Sequence, residues 1–114
     1  MSTRDPKAFL YDVLSAIANI ETFVAGRTFV NYLEDAMFRS AVERQLMVIG
    51  EAIAQLSKLD RALADRLLDS PQIIAFRNRL IHDYGQVDHA MVWGVVTARL
   101  GTLKTRVQNL LTIE

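Results

Sequence analysis

Apolar side chains recur every three to four positions along almost the whole chain, and this spacing predicts helices rather than strands. The first run begins after Asp5-Pro6, a capping residue followed by proline at the first helical position, and it ends at Gly26. Its apolar positions are Phe9, Leu10, Val13, Leu14, Ile17, Ile20 and Val24. We therefore predict a first amphipathic helix over this stretch.

A long second helix is predicted from about Tyr32 to Leu56. Its apolar positions are Leu33, Met37, Ala41, Val42, Leu46, Val48, Ile49, Ala52, Ile53 and Leu56. These positions cover more than one stripe of the helix surface, which predicts two buried faces, one in a helix bundle and one at a dimer seam. A short helix is predicted to follow from Asp60 to Leu68.

Two further helices complete the pattern. Ser70-Pro71 repeats the arrangement of a capping residue and a proline, and it opens a helix that Gly85 ends. Asp88 caps a last helix that runs from about His89 to Leu111. The sum is an all-α fold, an antiparallel four-helix bundle with a short additional helix, because the short connections favour antiparallel neighbours.

Composition limits the size and the location of this fold. A chain of 114 residues is expected to form one domain, spanning residues 1–114. The apolar fraction of 51% is slightly high and predicts that some apolar surface is buried against a partner, such as a second copy. No apolar run approaches the ~20 residues that cross a bilayer. The chain has no cysteine and begins without the apolar core of a secretory signal, so we expect a cytoplasmic protein without disulfides or thiolate metal sites.

Net charge excludes one class of nucleic-acid binder and leaves another open. Thirteen basic and thirteen acidic residues cancel, which argues against a broad basic surface that holds nucleic acid regardless of sequence. Ten of the thirteen cations are arginine, however. A local arginine cluster can form a small anion site on a neutral protein.

Most of the candidate chemistry lies in one segment, residues 77–84. His82 is one of two histidines in the chain, and histidine is the side chain that most readily exchanges protons near neutral pH. Arg77 and Arg79 carry forked donors that suit phosphate oxygens. Asn78, four residues before His82, shares its helix face, and Tyr84 adds a phenol.

The position of Arg77 in an apolar arc of this helix needs an explanation. Either the arginine is buried and neutralised by a carboxylate such as Glu43 or Glu51, or it lines a cleft at a subunit seam where its charge is available to an anion. His82 lies about 140° round the helix from Arg77. The length of arginine, an unwound last turn or a partner chain could bring the two together.

Simpler explanations apply to both histidines, and other chemistries have little support. His82 could be a solvent-facing histidine stabilised by the helix C-terminus, and His89 is expected to be structural. The sequence lacks a glycine-rich phosphate loop, paired histidines at metal-binding spacing and a nucleophilic serine motif, so no metal or cofactor is expected. Three methionines in apolar stripes are expected to be core residues: Met37, Met47 and Met91.

The spacing of the candidate residues resembles a known motif. Arg77, His82 five residues later and Tyr84 resemble the Arg-x4-His-x-Tyr signature of the HEPN superfamily, and more closely the HepT-like ribonuclease toxins, with Asn78 directly after the arginine. The resemblance covers most of the chain. It includes Arg44-Gln45-Leu46-Met47-Val48-Ile49-Gly50-Glu51-Ala52, Val87-Asp88 and Val92-Trp93, with Ser70-Pro71-Gln72 standing where many relatives carry a Pro-Trp pair.

This resemblance implies an all-helical homodimer in which two copies of the motif meet at a shared cleft. It implies a metal-independent endoribonuclease, in which the 2′-hydroxyl of RNA is the nucleophile. His82 would move the proton, Arg77 would stabilise the charged phosphorane, and Asn78 would orient the ring or the phosphate.

The resemblance also implies partners. HepT-like toxins pair with a nucleotidyltransferase antitoxin that transfers AMP to the motif tyrosine, here Tyr84, and the dimer could form a larger assembly with it. Two alternatives stay open. The protein could be a non-catalytic adaptor that binds nucleotide and holds the nucleotidyltransferase, or a dimerising bundle with a decayed site.

Overall fold

The computed structural model describes residues 4–83 and 86–112, and within them it forms seven α-helices and no strand. The helices are α1 (Pro6–Val24), α2 (Phe29–Glu34), α3 (Ala36–Leu59), α4 (Arg61–Asp65), α5 (Ser70–His82), α6 (His89–Ala98) and α7 (Leu100–Thr112). The prediction of an all-α fold is confirmed. None of these helices is both long and apolar enough to span a membrane.

The first helix has the limits that its capping residues predict. The Asp5 carboxylate accepts a hydrogen bond from the Lys7 backbone N–H at 2.9 Å, and Pro6 is the first helical residue. After the helix, Gly26 adopts a φ of 73°, the left-handed conformation that glycine tolerates best. The buried face of α1 packs mainly against α3 and α7. It contributes Leu10, Val13, Ala16, Ile17 and Ile20.

The predicted long second helix is two helices, which meet at Asp35. The backbone of Asp35 is extended, with φ −121° and ψ 100°, and its carboxylate accepts the Phe38 N–H at 3.1 Å, so Asp35 caps a new helix. The prediction that Met37 and Met91 are core residues is wrong, because Met37, next to this break, is 82% exposed and Met91, on α6, is 43% exposed. The long helix α3 that follows lies at the centre of the fold, against α1 on one side and α5 on another.

Ser70 does not cap α5, contrary to the prediction. It is the first residue of the helix and is buried, and its hydroxyl donates to the Ala64 carbonyl oxygen at 2.6 Å. Asp69 occupies the capping position, but its carboxylate accepts from Arg106 at 2.8 Å instead of from a helix N–H. These two contacts tie the start of α5 to α4 and α7.

The predicted last helix is also divided. Asp88 caps α6 as expected and accepts from the N–H groups of Ala90 and Met91 at 2.9 and 3.2 Å. At Arg99, φ is −117° and ψ is −27°, so φ departs from the regular α-helical value and α6 ends, and α7 begins at the next residue.

A cluster of aromatic rings joins α2, α3 and α6. Tyr32 is fully buried at its centre, and its hydroxyl donates to the Glu43 carboxylate at 3.0 Å. Burial, together with the negative charge and hydrogen bond of Glu43, raises the pKa of Tyr32 above the ordinary value of a tyrosine. The Trp93 ring lies 5.3 Å from the Tyr32 ring between centroids. Glu43 is therefore a partner of the core aromatic cluster.

Candidate active site

Helix α5 positions the three described residues of the motif. It remains helical through His82, and the Asp83 N–H donates to the Arg79 carbonyl oxygen at 2.8 Å, so the last turn is not unwound. On such a helix Arg77 and His82 are separated by about 140° of rotation and about 7.5 Å of axial rise. Tyr84 and Gly85 lie outside the described residues.

Arg77 lies in the seam between α3 and α5. Its side chain is only 19% exposed, and Nη1 lies 3.0 Å from Oε2 of Glu51. The other carboxylate oxygen of Glu51 accepts a hydrogen bond from Gln55 at 3.0 Å. Of the two carboxylates that could neutralise Arg77, Glu51 is therefore the one in contact, whereas Glu43 bonds to Tyr32.

Gly50 makes this arrangement possible. A Cβ atom at Gly50 would overlap Cβ of Arg77 and lie 2.6 Å from its Cγ. Only a residue without a side chain lets the stem of Arg77 cross the backbone of α3 at this distance. Gly50 and Glu51 are thus adjacent residues that hold the stem and the charged end of the same arginine. The contact with Glu51 is one of the two carboxylate pairings that the sequence suggests for Arg77, whereas the close approach of Gly50 is not predicted by the sequence.

The Nε atom of Arg77 is buried, and it has no hydrogen-bond partner among residues 4–83 and 86–112. A buried unpaired donor costs roughly 1–3 kcal/mol, so such groups are rare in stable cores. One turn later on the same side of α5, Ile81 is 38% exposed. The surface around Arg77 therefore combines a partly buried cation with exposed apolar area.

Asn78 and His82 are exposed to solvent on a different flank of α5 from Arg77. No hydrogen bond or ion pair within the described parts of the chain involves either side chain. His82 is the last residue of the helix, where the carbonyl ends favour a positive charge. The single chain thus brings Asn78 and His82 together on one face and leaves Arg77 on another.

His89 packs against the aromatic cluster, in keeping with the structural role expected for it. Its ring meets the Tyr32 ring edge to face, with centroids 6.0 Å apart. Its Nδ1 atom is buried and unpaired within the described residues. The contact with Tyr32 links the start of α6 to the aromatic cluster and could not be read from the spacing of the sequence.

A groove of about 550 Å³ runs beside α5, facing α6 and α7. Apolar side chains dominate its walls, and they include Ile73, Phe76, Met91 and Val95. Arg79 also lines it and lies about 60° from His82 around the helix. No cluster of three or more potential metal-ligating side chains occurs in the part of the chain that the structure describes.

Comparison with known proteins places the motif in a family. A family model described as ribonuclease HepT-like matches residues 13–110. The chain belongs to the HepT-like ribonuclease family. The resemblance seen in the Arg77 to Tyr84 segment is therefore confirmed over almost the whole chain.

Two curated relatives are similar along nearly their entire length. One, named "Putative RNase MJ1380", from Methanocaldococcus jannaschii, is 32% identical over 110 residues, covering 95% of this chain and 98% of the relative. Another, named "Probable ribonuclease HepT", from Thermococcus cleftensis, is 31% identical over 107 residues, covering 94% of this chain and 96% of the relative. The comparison with solved structures gave no match. The family and these names support a ribonuclease activity.

Proposed function

We propose that the protein is a metal-independent endoribonuclease and the toxin of a toxin–antitoxin pair. The observation that carries this proposal is the placement of Arg77. Arg77 lies in the seam between α3 and α5, with its guanidinium in contact with Glu51. Helix α5 also presents Asn78 and His82 to solvent. A helix bundle gains little stability from a half-buried arginine of this kind, whereas a phosphate-cleaving site needs one.

The proposed reaction uses the nucleophile that RNA already contains. His82 accepts the proton of a 2′-hydroxyl, whose oxygen attacks the adjacent phosphorus, and the bond from phosphorus to the 5′-oxygen breaks. A proton goes to the 5′-oxygen, and the products are a 2′,3′-cyclic phosphate and a 5′-hydroxyl. Arg77 stabilises the charge of the pentacoordinate phosphate, and Asn78 orients the histidine ring or the phosphate.

A homodimer completes the proposed site. Arg77 and His82 lie about 140° apart on one helix, and the last turn does not unwind to bring them together. A cleft between two copies would let residues from both motifs act on one phosphate. The exposed Ile81 beside Arg77 and the apolar groove beside Arg79 offer surface that a second copy could bury.

Regulation by a nucleotidyltransferase antitoxin belongs to the same proposal. The antitoxin would transfer AMP from ATP to the hydroxyl of Tyr84 and release pyrophosphate. Tyr84 follows His82 by two residues, so the adenylate would fill the cleft and place negative charge where the substrate phosphate binds.

One observation favours a second function. Glu51 neutralises Arg77 within the single chain, as expected for an adaptor in which the arginine is structural and the domain only holds its nucleotidyltransferase. The two proposals differ in one measurable activity, because a ribonuclease cleaves RNA and an adaptor does not.

The test compares the protein expressed alone with the protein co-expressed with its genomic neighbour. Alone, it should cleave total cellular RNA and stop growth, and His82→Ala should abolish both while the dimer persists in size-exclusion chromatography. With the neighbour, intact mass should increase by one or more AMP units. Tyr84→Phe should prevent this increase, whereas Tyr11→Phe, at a tyrosine that is 58% exposed on α1, should not. Unmodified dimer that cleaves no RNA would support the adaptor.

A further inference from the structure

We infer that Glu51 is a positioning residue, which fixes the Arg77 guanidinium in the orientation that the transition state requires. The inference rests on the proposed ribonuclease function and adds a residue outside the 77–84 motif to it. Glu51 reaches the site from α3, and its Oε2 lies 3.0 Å from Nη1 of Arg77.

Two contacts with Arg77, and a third that orients Glu51, fix the arginine from its stem to its charged end. Gly50 lies directly against Cβ and Cγ of Arg77, which limits the path of the stem. Glu51, the next residue along α3, contacts Nη1. Gln55, one turn further on, donates to the second oxygen of Glu51 at 3.0 Å and orients the carboxylate. A single stretch of α3 therefore determines where the guanidinium points.

The exposure of the pair indicates that its role is not stability. The Glu51 side chain is 51% exposed, although the Arg77 side chain is only 19% exposed. Water screens an ion pair that is open on one side, and such pairs contribute little to folding. A fixed guanidinium, by contrast, stabilises developing charge without having to reorganise during the reaction.

The pair also leaves Arg77 able to bind phosphate. A guanidinium has five N–H donors, and the contact with Glu51 is made through one terminal nitrogen. Other donors remain available to a phosphate, and Glu51 would affect that phosphate only through its contact with Arg77. Removing it should change how well the transition state is stabilised more than how tightly RNA binds.

The experiment measures the cleavage kinetics of the dimer with Glu51→Ala, Glu51→Gln and Glu21→Ala. Glu21 is a matched control because its side chain is 50% exposed and pairs with Lys104 at 3.2 Å, on other helices. Glu51→Ala should lower kcat on the order of tenfold with little change in KM or in melting temperature. Glu51→Gln keeps an acceptor oxygen and should restore part of the loss. Glu21→Ala should match the wild type.

NMR spectroscopy reports on the position of Arg77 independently of RNA cleavage. The Arg77 Nε–H is buried, so it should give a sharp nitrogen–proton NMR signal, assigned by its loss in Arg77→Lys. Glu51→Ala should broaden or shift this signal, and Glu21→Ala should not. An unchanged signal, or Glu51→Ala cleavage at the wild-type rate or faster, would overturn the inference. Wild-type dimer that cleaves no RNA would instead refute the proposed function, and the NMR comparison would still decide whether Glu51 positions Arg77.

Discussion

Gly50→Ala tests the contact that supports the candidate site most directly. The change adds one methyl group where α3 and α5 cross, and that methyl would overlap Cβ of Arg77. Cβ is attached to the backbone of α5 and cannot rotate away, so the helix itself must shift. Overpacking of this kind costs about 1–3 kcal/mol.

The higher helix propensity of alanine offsets part of this loss of stability. Alanine is favoured over glycine inside a helix by about 1 kcal/mol, so the expected net effect of Gly50→Ala is a loss of up to about 2 kcal/mol. Gly94→Ala and Gly101→Ala provide controls, because a Cβ at either position meets nothing within 4 Å. These two changes should stabilise the protein by up to about 1 kcal/mol.

The assay is urea unfolding followed by circular dichroism, with thermal melting as a check. The gap between Gly50→Ala and Gly94→Ala should be about 1–3 kcal/mol, or several degrees in Tm for a domain of this size. RNA cleavage should fall in Gly50→Ala, because the shift of α5 moves Arg77 relative to Glu51. Equal stability of Gly50→Ala and the two controls would refute the close approach of the helices.

Three other changes test separate parts of the fold. Ser70→Ala removes the 2.6 Å hydrogen bond to Ala64 and should cost about 1–2 kcal/mol in urea unfolding; an unchanged midpoint would contradict this. Leu68→Gly should raise the free energy of unfolding by about 1 kcal/mol, because Leu68 has a φ of 71° and is 67% exposed; a loss would show that its side chain makes an important contact. Above its ordinary pKa of 10.0, Tyr32 releases its proton in the unfolded chain but retains it when buried, since burial and Glu43 raise its pKa. Its contribution to stability is therefore complete below pH 10 and should fall by about 1.4 kcal/mol per pH unit above it. Tyr32→Phe should lack this fall in unfolding curves measured from pH 9 to 11, and parallel curves would contradict the assignment.

Local capping residues allow the starts of two helices to be predicted from the sequence. Asp5-Pro6 and Asp88 mark helix starts correctly, because a cap acts on N–H groups two or three residues away. Apolar spacing continues across Asp35 and therefore does not reveal the break there, although the aspartate is itself a capping signal. The prediction that Ser70 caps α5 is wrong for a tertiary reason, since its hydroxyl donates to a carbonyl oxygen of α4.

The sequence proposes the residues of the candidate site, but it does not determine their contacts. The sequence predicts that Arg77 needs either a carboxylate or a subunit seam, and spacing alone does not distinguish Glu43 from Glu51. The choice depends on how α3 is placed against α5, and Gly50 permits the close approach of the two helices beside Glu51. Such information comes from packing between distant parts of the chain. The roles of Arg77, Asn78, His82 and Tyr84 stay predictions.

The most direct test of the central claim is RNA cleavage by the purified protein in the presence of a chelator, comparing the wild type with His82→Ala. We expect the wild type to cleave and to leave 2′,3′-cyclic phosphate ends, and a single 2′-deoxy nucleotide at the mapped site should block cleavage there. His82→Ala should be inactive with an unchanged melting curve. Equal cleavage by His82→Ala, or cleavage at the 2′-deoxy site, would contradict the proposed mechanism.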